Sequence, residues 1–244
     1  IGAAKRLESG AEGVVIAHGT DTMGYSAAAL SFALRGLPAP VILVGAQRSS
    51  DRPSSDAATN LIGAAILASR GPFAEVAVAM HEGVSDGPIA AHRGTRVRKC
   101  HTSRRDAFKS INSQPLARCD VRSGRIEMLV DDYRKRGEGS LEVKPDFDER
   151  ALLLKYYPSM DPSIVDWAVD EGYRGIVFEG TGLGHVSKKF SGPIRRAVEE
   201  GVVICMASQC LWGRVNMNVY STGRYLLAAG AIPLGDMLPE TALV

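Results

Sequence analysis

No stretch of the chain is apolar enough to cross a membrane as a helix. The longest segments without a charged residue, among them 22–34 and 201–213, stop at 13 residues, where a spanning helix needs about 20. Cysteine is scarce as well: Cys100, Cys119, Cys205 and Cys210 fall at no zinc-like or dense disulfide spacing. A chain of 244 residues can build its core without staples, so a reducing, cytoplasmic setting is expected. There is no excess of one charge, since 29 cations against 27 anions give +2, and that balance selects neither nucleic acid nor membrane as a partner. Repeats, low-complexity segments and collagen-like or coiled-coil periods are missing too. The start at Ile1 carries no basic-then-apolar leader, and the chain stops at Val244 inside a helix opened by Pro239 and Glu240. Both ends are therefore expected to be cut.

What is present is a rhythm. Short β-branched runs alternate with helix-like stretches: 13–17 then 24–36, 41–45 then 54–70, and finally 76–80. Such alternation predicts a parallel α/β sheet. Ser54 and Ser55 precede Asp56 and a run in which Leu61, Ala64, Ala65 and Ala68 recur at helical spacing, and Gly71-Pro72 ends it. Between 131 and 150, 12 of 20 residues are charged, the composition of an exposed connection between domains. A second alternation follows over 151–157, 162–172, 175–178, 192–200, 202–206 and 221–229. The expected organisation is a larger domain over 1–137, truncated at its start, a linker over 138–150, and a smaller α/β domain over 151–244, truncated at its end.

Three segments invite chemistry. In Val14-Val15-Ile16-Ala17-His18-Gly19-Thr20-Asp21-Thr22-Met23 a buried strand runs straight into small polar residues before a helix, and ligands of open parallel sheets bind at the carboxyl ends of strands. A hydroxyl beside a carboxylate suits a polar substrate, with Gly19 allowing close approach; equally, Thr20, Asp21 and Thr22 are residues that cap helices. The stretch 92–109 sets Arg93, Arg96, Arg98, Lys99, Arg104, Arg105 and Lys109 against one acid, Asp106. It reads as a solvated loop or as a phosphate-contacting patch; a lysine buried among cations can also serve as a base, though spacing alone does not select Lys99. Gly180-Thr181-Gly182-Leu183-Gly184-His185 departs from the dinucleotide fingerprint and reads as a tight turn. His81, Glu82 and His92 show no metal-ligand spacing, so no metal is expected.

From His18-Gly19-Thr20-Asp21-Thr22-Met23 onward the chain resembles the bacterial-type L-asparaginases and related amidohydrolases. The likeness continues through Val44-Gly45-Ala46-Gln47-Arg48-Ser49-Ser50, through Ser55-Asp56-Ala57-Ala58-Thr59-Asn60-Leu61, at Lys99 ahead of Ala107-Phe108-Lys109-Ser110, and in the glycine-rich run 180–185. Within the family, the run 7–18 and Met206-Ala207-Ser208-Gln209-Cys210-Leu211-Trp212-Gly213 resemble the D subunits of archaeal glutamyl-tRNA(Gln) amidotransferases.

The resemblance implies a two-domain L-asparaginase-like α/β fold, with a larger flavodoxin-like three-layer α/β/α domain and a smaller α/β domain. It makes Thr20 a catalytic hydroxyl, Lys99 the amine that activates it, and Asp21 the holder of the substrate's α-amino group. Gly19 and Ala46 join the substrate site. It implies release of ammonia from L-glutamine, or L-asparagine, for a partner E subunit that uses ATP and Mg to convert glutamate on tRNA(Gln) into glutamine; this chain itself is expected to need no cofactor. A homodimer decorated by partner subunits is the implied assembly. The family's other catalytic threonine, in a Gly-Gly-Thr-Ile type motif on a first strand, has no match in these residues and is expected upstream of Ile1, so the piece alone is expected to be incomplete. Two alternatives stand beside this reading: a free-standing L-asparaginase, which would share Thr20, Asp21 and Lys99, and a non-catalytic scaffold of a tRNA complex that uses 92–109 to contact phosphates.

Overall fold

Runs rich in Val, Ile and Leu become strands because branched side chains pack well on a pleated, buried surface. In the computed structural model, which describes residues 1–244, these runs sort into two compact units, Ile1–Asp146 and Phe147–Val244. The first unit begins α1 (Gly2–Glu8), β1 (Val14–Ala17), α2 (Met23–Ala33), β2 (Leu34–Arg35), β3 (Val41–Val44), α3 (Ala57–Arg70) and β4 (Val76–His81). It continues β5 (Ile89–Arg93), β6 (Val97–Lys99), β7 (Phe108–Ser110), β8 (Ala117–Cys119), β9 (Ile126–Met128) and β10 (Glu142–Val143).

Six of these strands form one sheet in the order β1-β3-β4-β5-β8-β9. Alternation along β3 and β4 sends Leu43, Val78 and Met80 to one face, against Met23 and Ala27 of α2. Ile42, Ala77 and Ala79 go to the other face, against Ala64 and Leu67 of α3. Burial on both faces explains why all six residues of β4 are apolar or hydrogen-bonded and buried. The result is the expected three-layer α/β/α arrangement, with one correction. Only β1, β3 and β4 are parallel, whereas β5, β8 and β9 extend the sheet antiparallel. Antiparallel neighbours need no crossover helix, so this half lacks the strand-helix rhythm that announces a parallel sheet, and its strands of three to five residues carry little periodicity. Within the stretch 138–150, Glu142–Val143 pair antiparallel with β2.

The carboxyl end of α3 is closed from outside. The Arg136 guanidinium donates to the carbonyls of Ala68 (2.6 Å), Gly71 (2.8 Å) and Glu12 (2.5 Å), supplying donors for helix-end carbonyls that lack intrahelical partners. Arg136→Ala is expected to cost about 2 kcal/mol, the worth of charge-assisted hydrogen bonds left unmade, read as a lower midpoint in urea unfolding.

The second unit holds β11 (Ala151–Lys155), α4 (Ser163–Asp170), β12 (Gly175–Gly180), α5 (Ser191–Glu199), β13 (Val203–Ser208), α6 (Ser221–Ala228), β14 (Ile232–Pro233) and α7 (Pro239–Leu243). Its four strands run parallel in sequence order. Phe178, Phe190, Ile194, Ile204, Met206 and Leu226 centre its core, where the Phe178 and Phe190 rings meet edge to face at 5.7 Å. No helix of the protein is long and apolar enough to cross a membrane.

Candidate active site

Strand β1 delivers Gly19, Thr20 and Asp21 to the carboxyl edge of the parallel half of the sheet, the usual place for ligands in such sheets. His18 N–H still bonds Val44 O at 2.9 Å, and the chain then turns into α2. Met23, wholly buried, anchors that helix. Thr22 stands at its amino-terminal cap without a side-chain capping bond. His18 steadies the turn: its Nδ1–H donates to Gly19 O at 2.6 Å, and Ser26 Oγ–H donates to its Nε2 at 2.9 Å.

Lys99 arrives from the β6–β7 hairpin. Phe108, opposite Lys99 in the hairpin register, is fully buried and anchors it. The hairpin reaches the first turn of α2 because Gly24 has no side chain there; a Cβ on it would lie 3.3 Å from Val97 O. Lys99 Nζ then donates to Thr20 Oγ1 at 2.9 Å and to Asp21 Oδ1 at 2.7 Å, joining residues 79 and 78 positions apart. The lysine side chain is only 15% exposed and the Asp21 side chain 91% exposed. A hydrogen bond from Lys99, reinforced by its charge, holds the Asp21 carboxyl below the usual carboxylate range. Asp21 is thus a fixed anion facing solvent, and Thr20 is a hydroxyl within reach of an amine.

The segment after β3 forms the next wall. A Cβ on Gly45 would lie 2.7 Å from His18 O and 3.0 Å from Thr20 Cγ2, so the backbone at Gly45 and Ala46 lies against the Thr20 turn at a distance only glycine tolerates. All five residues singled out in the sequence, Gly19, Thr20, Asp21, Ala46 and Lys99, therefore lie in one neighbourhood of the first unit. Sequence reading passed over His18 and took Asp56 only as a helix-start signal. Asp56 is almost fully buried, and its carboxylate points back to the loop after Gly45.

Elsewhere the structure bears on the other candidate segments. Most cations of 92–109 are spoken for. Arg93 pairs with Glu75, Arg105 with Asp86, Lys99 with Asp21, and Arg104 and Lys109 both with Asp106. Arg96 and Arg98 also have partners. Hydrogen bonding from Arg104 and Lys109 draws the buried Asp106 carboxyl down to about 2, so it stays anionic between them. Side chains engaged in such pairs are less available to a phosphate backbone. In the glycine-rich run 180–185, Thr181 and His185 exchange backbone hydrogen bonds and Gly184 N–H bonds Thr181 O, which makes it a closed turn rather than a phosphate cradle. His81 and His92 are internal, bonded through Nδ1 to Asn60 and Ser110.

Comparison with known proteins decides the family. Residues 2–132 match the family described as asparaginase, N-terminal, and residues 150–244 the glutaminase/asparaginase C-terminal domain. The chain belongs to the asparaginase/glutaminase family. Among solved structures of that family, the thermostable L-asparaginase from Thermococcus kodakarensis is 31% identical with a TM-score of 0.88, and L-asparaginase I from Vibrio cholerae is 30% identical with a TM-score of 0.84. Each comparison covers 99% of this chain and 70% of the other. Curated relatives are closer in sequence. The D subunit of glutamyl-tRNA(Gln) amidotransferase from Pyrococcus furiosus is 63% identical over 99% of this chain and 55% of its own length. Its counterpart from Thermofilum pendens is 54% identical over 100% of this chain and 54% of its own length. The chain thus spans about half the length of the curated relatives it matches.

Proposed function

We propose that the chain is the amide-hydrolysing part of a D-type subunit of a glutamyl-tRNA(Gln) amidotransferase, releasing ammonia from L-glutamine. One observation carries the chemistry: Lys99 Nζ bridges Thr20 Oγ1 and Asp21 Oδ1. The likeness to the D subunits supplies the setting.

The substrate's α-ammonium group docks on the exposed Asp21 carboxylate in place of the Lys99 ammonium, which gives up a proton to solvent and faces Thr20 as a neutral amine. Lys99 takes the hydroxyl proton, and Thr20 Oγ1 attacks the side-chain amide carbon. Backbone groups at Ala46 in this reading supply donors to the developing oxyanion. The carbon–nitrogen bond breaks as Lys99 returns the proton to the leaving nitrogen, ammonia departs, and water cleaves the ester. In this reading the ammonia passes to an E-type partner that spends ATP, with Mg, to convert glutamate on tRNA(Gln) into glutamine. The chain itself needs no cofactor, and it works in the cytoplasm as a homodimer carrying the partner subunits.

The likeness to two L-asparaginases favours a second reading, a free-standing asparaginase. Ammonia release by the full-length protein from glutamine and from asparagine, with and without the E-type subunit, ATP and Glu-tRNA(Gln), separates the two. Glutamine turnover that supports Gln-tRNA(Gln) formation is the expected result. Partner-independent asparagine turnover with little on glutamine would replace the proposal by its rival. In the same assay Gly45→Ala is expected to lower kcat about 100-fold, because the new methyl forces the 45–46 backbone away from Thr20 and small misplacements at a reacting centre cost that much.

A further inference from the structure

The loop that faces Thr20 is held by a buried polar network with no part in the chemistry described so far. Asp56 stands at the amino-terminal cap position of α3, where a carboxylate ordinarily accepts from its own helix. It makes no such bond. Its Oδ2 accepts instead from the Gln47 backbone N–H at 3.0 Å and its Oδ1 from that of Arg48 at 2.9 Å. Ser55 takes over the local capping, accepting from Ala57 N–H, and its hydroxyl donates to Arg48 O at 2.7 Å.

Asn60, one turn along α3 and wholly buried, completes the grip. Its Nδ2 donates to Gly45 O and to Asp56 Oδ2, both at 2.9 Å. With the amide donors so used, its Oδ1 accepts from His81 Nδ1–H at 2.6 Å, which fixes the orientation of the amide. Burial holds the His81 imidazole below its usual titration range, so it remains a neutral donor. Gly45, Gln47 and Arg48 are thereby tied to one rigid helix, and Gly45 is the residue whose backbone lies against His18 and Thr20. A buried carboxylate aimed at two successive backbone amides is costly unless fully bonded, and both of those amides belong to the loop rather than to the helix.

We propose that Asp56 and Asn60 are positioning residues that hold the 45–48 backbone at fixed distance from Thr20, so that the backbone at Ala46 meets the substrate's carbonyl in the transition state. The inference rests on the reading of Thr20 as the reacting hydroxyl. The test uses the full-length protein with Asp56→Ala, Asp56→Asn and Asn60→Ala, reading Tm together with kcat and KM for ammonia release. In Asp56→Ala kcat is expected to fall about 100-fold with KM within about threefold, the mark of misplaced transition-state donors. Asp56→Asn, which keeps one acceptor for one of the two amides, is expected to recover about tenfold of that loss. Asn60→Ala is expected to lower kcat in the same sense. A folded Asp56→Ala protein with kcat within about twofold of wild type would overturn the proposal. So would equal losses in all three variants that merely follow the unfolded fraction. If the wild type releases ammonia from neither amide, the proposed function fails by itself. Hydrogen exchange then decides the loop: faster exchange at the Gln47 and Arg48 amides in Asp56→Ala, with β3 still protected, supports the grip, and unchanged exchange refutes it.

Discussion

Replacing Lys99 by methionine in the full-length protein is expected to lower kcat/KM for amide hydrolysis by about 10³- to 10⁴-fold, the scale on which a proton-transferring group acts together with its nucleophile. Methionine keeps most of the stem that packs in this largely buried position, so the fold is retained and the loss belongs to Nζ. Without it Thr20 Oγ1 has no group to take its proton, and Asp21 loses the cation that fixes it. Lys99→Arg separates the two roles. An arginine retains a positive charge for Asp21 yet does not give up its proton, so it is expected to be nearly as inactive as methionine. Activity within about tenfold of wild type in the arginine variant would mean that position 99 supplies charge rather than proton transfer.

His92 makes the first unit sensitive to acid. Burial, with the Lys109 charge nearby, pulls its imidazole down to about 3, while a histidine in the unfolded chain titrates near 6.5. As pH falls below about 6.5 the unfolded chain takes up a proton that the folded chain refuses until about 3. The stability that neutral His92 contributes is therefore fully present above about pH 6.5 and is lost progressively between that value and about 3, a total on the order of 5 kcal/mol. His92→Asn keeps a polar group near Ser110 Oγ, the partner of His92 Nδ1, and removes the titration. Between pH 7.5 and 4.5 the wild type is expected to lose roughly 3 kcal/mol more than this variant in urea unfolding. Parallel losses in the two proteins would show that the acid sensitivity arises elsewhere.

The sequence exposed those parts of the molecule whose physics is local. Strands β3 and β4 were legible because burial on both faces demands unbroken apolar runs, half-buried β1 because its residues are mostly β-branched, and the second unit repeats the parallel strand-helix alternation without interruption. The antiparallel half was not legible, because β8 and β9 are three-residue strands in a charged stretch. Thr20 and Asp21 stood out as a polar turn after an apolar strand, whereas Lys99 was one of seven cations in 18 residues. Only the family likeness picked it out, since its bond to Thr20 spans 79 positions. Asp56 was hidden for a different reason. A carboxylate before a helix looks like a cap, and nothing local shows that it has turned to the amides of Gln47 and Arg48.

The central claim is that Thr20, coupled to Lys99, performs amide hydrolysis. Ammonia release from glutamine by the full-length protein and its Thr20→Ala variant, each with the E-type subunit present, tests it most directly. The account predicts turnover by the wild type and a loss of at least about 10³-fold in kcat/KM on substitution, with the melting temperature little changed. A folded Thr20→Ala protein that still hydrolyses glutamine within about tenfold of the wild-type rate would contradict it.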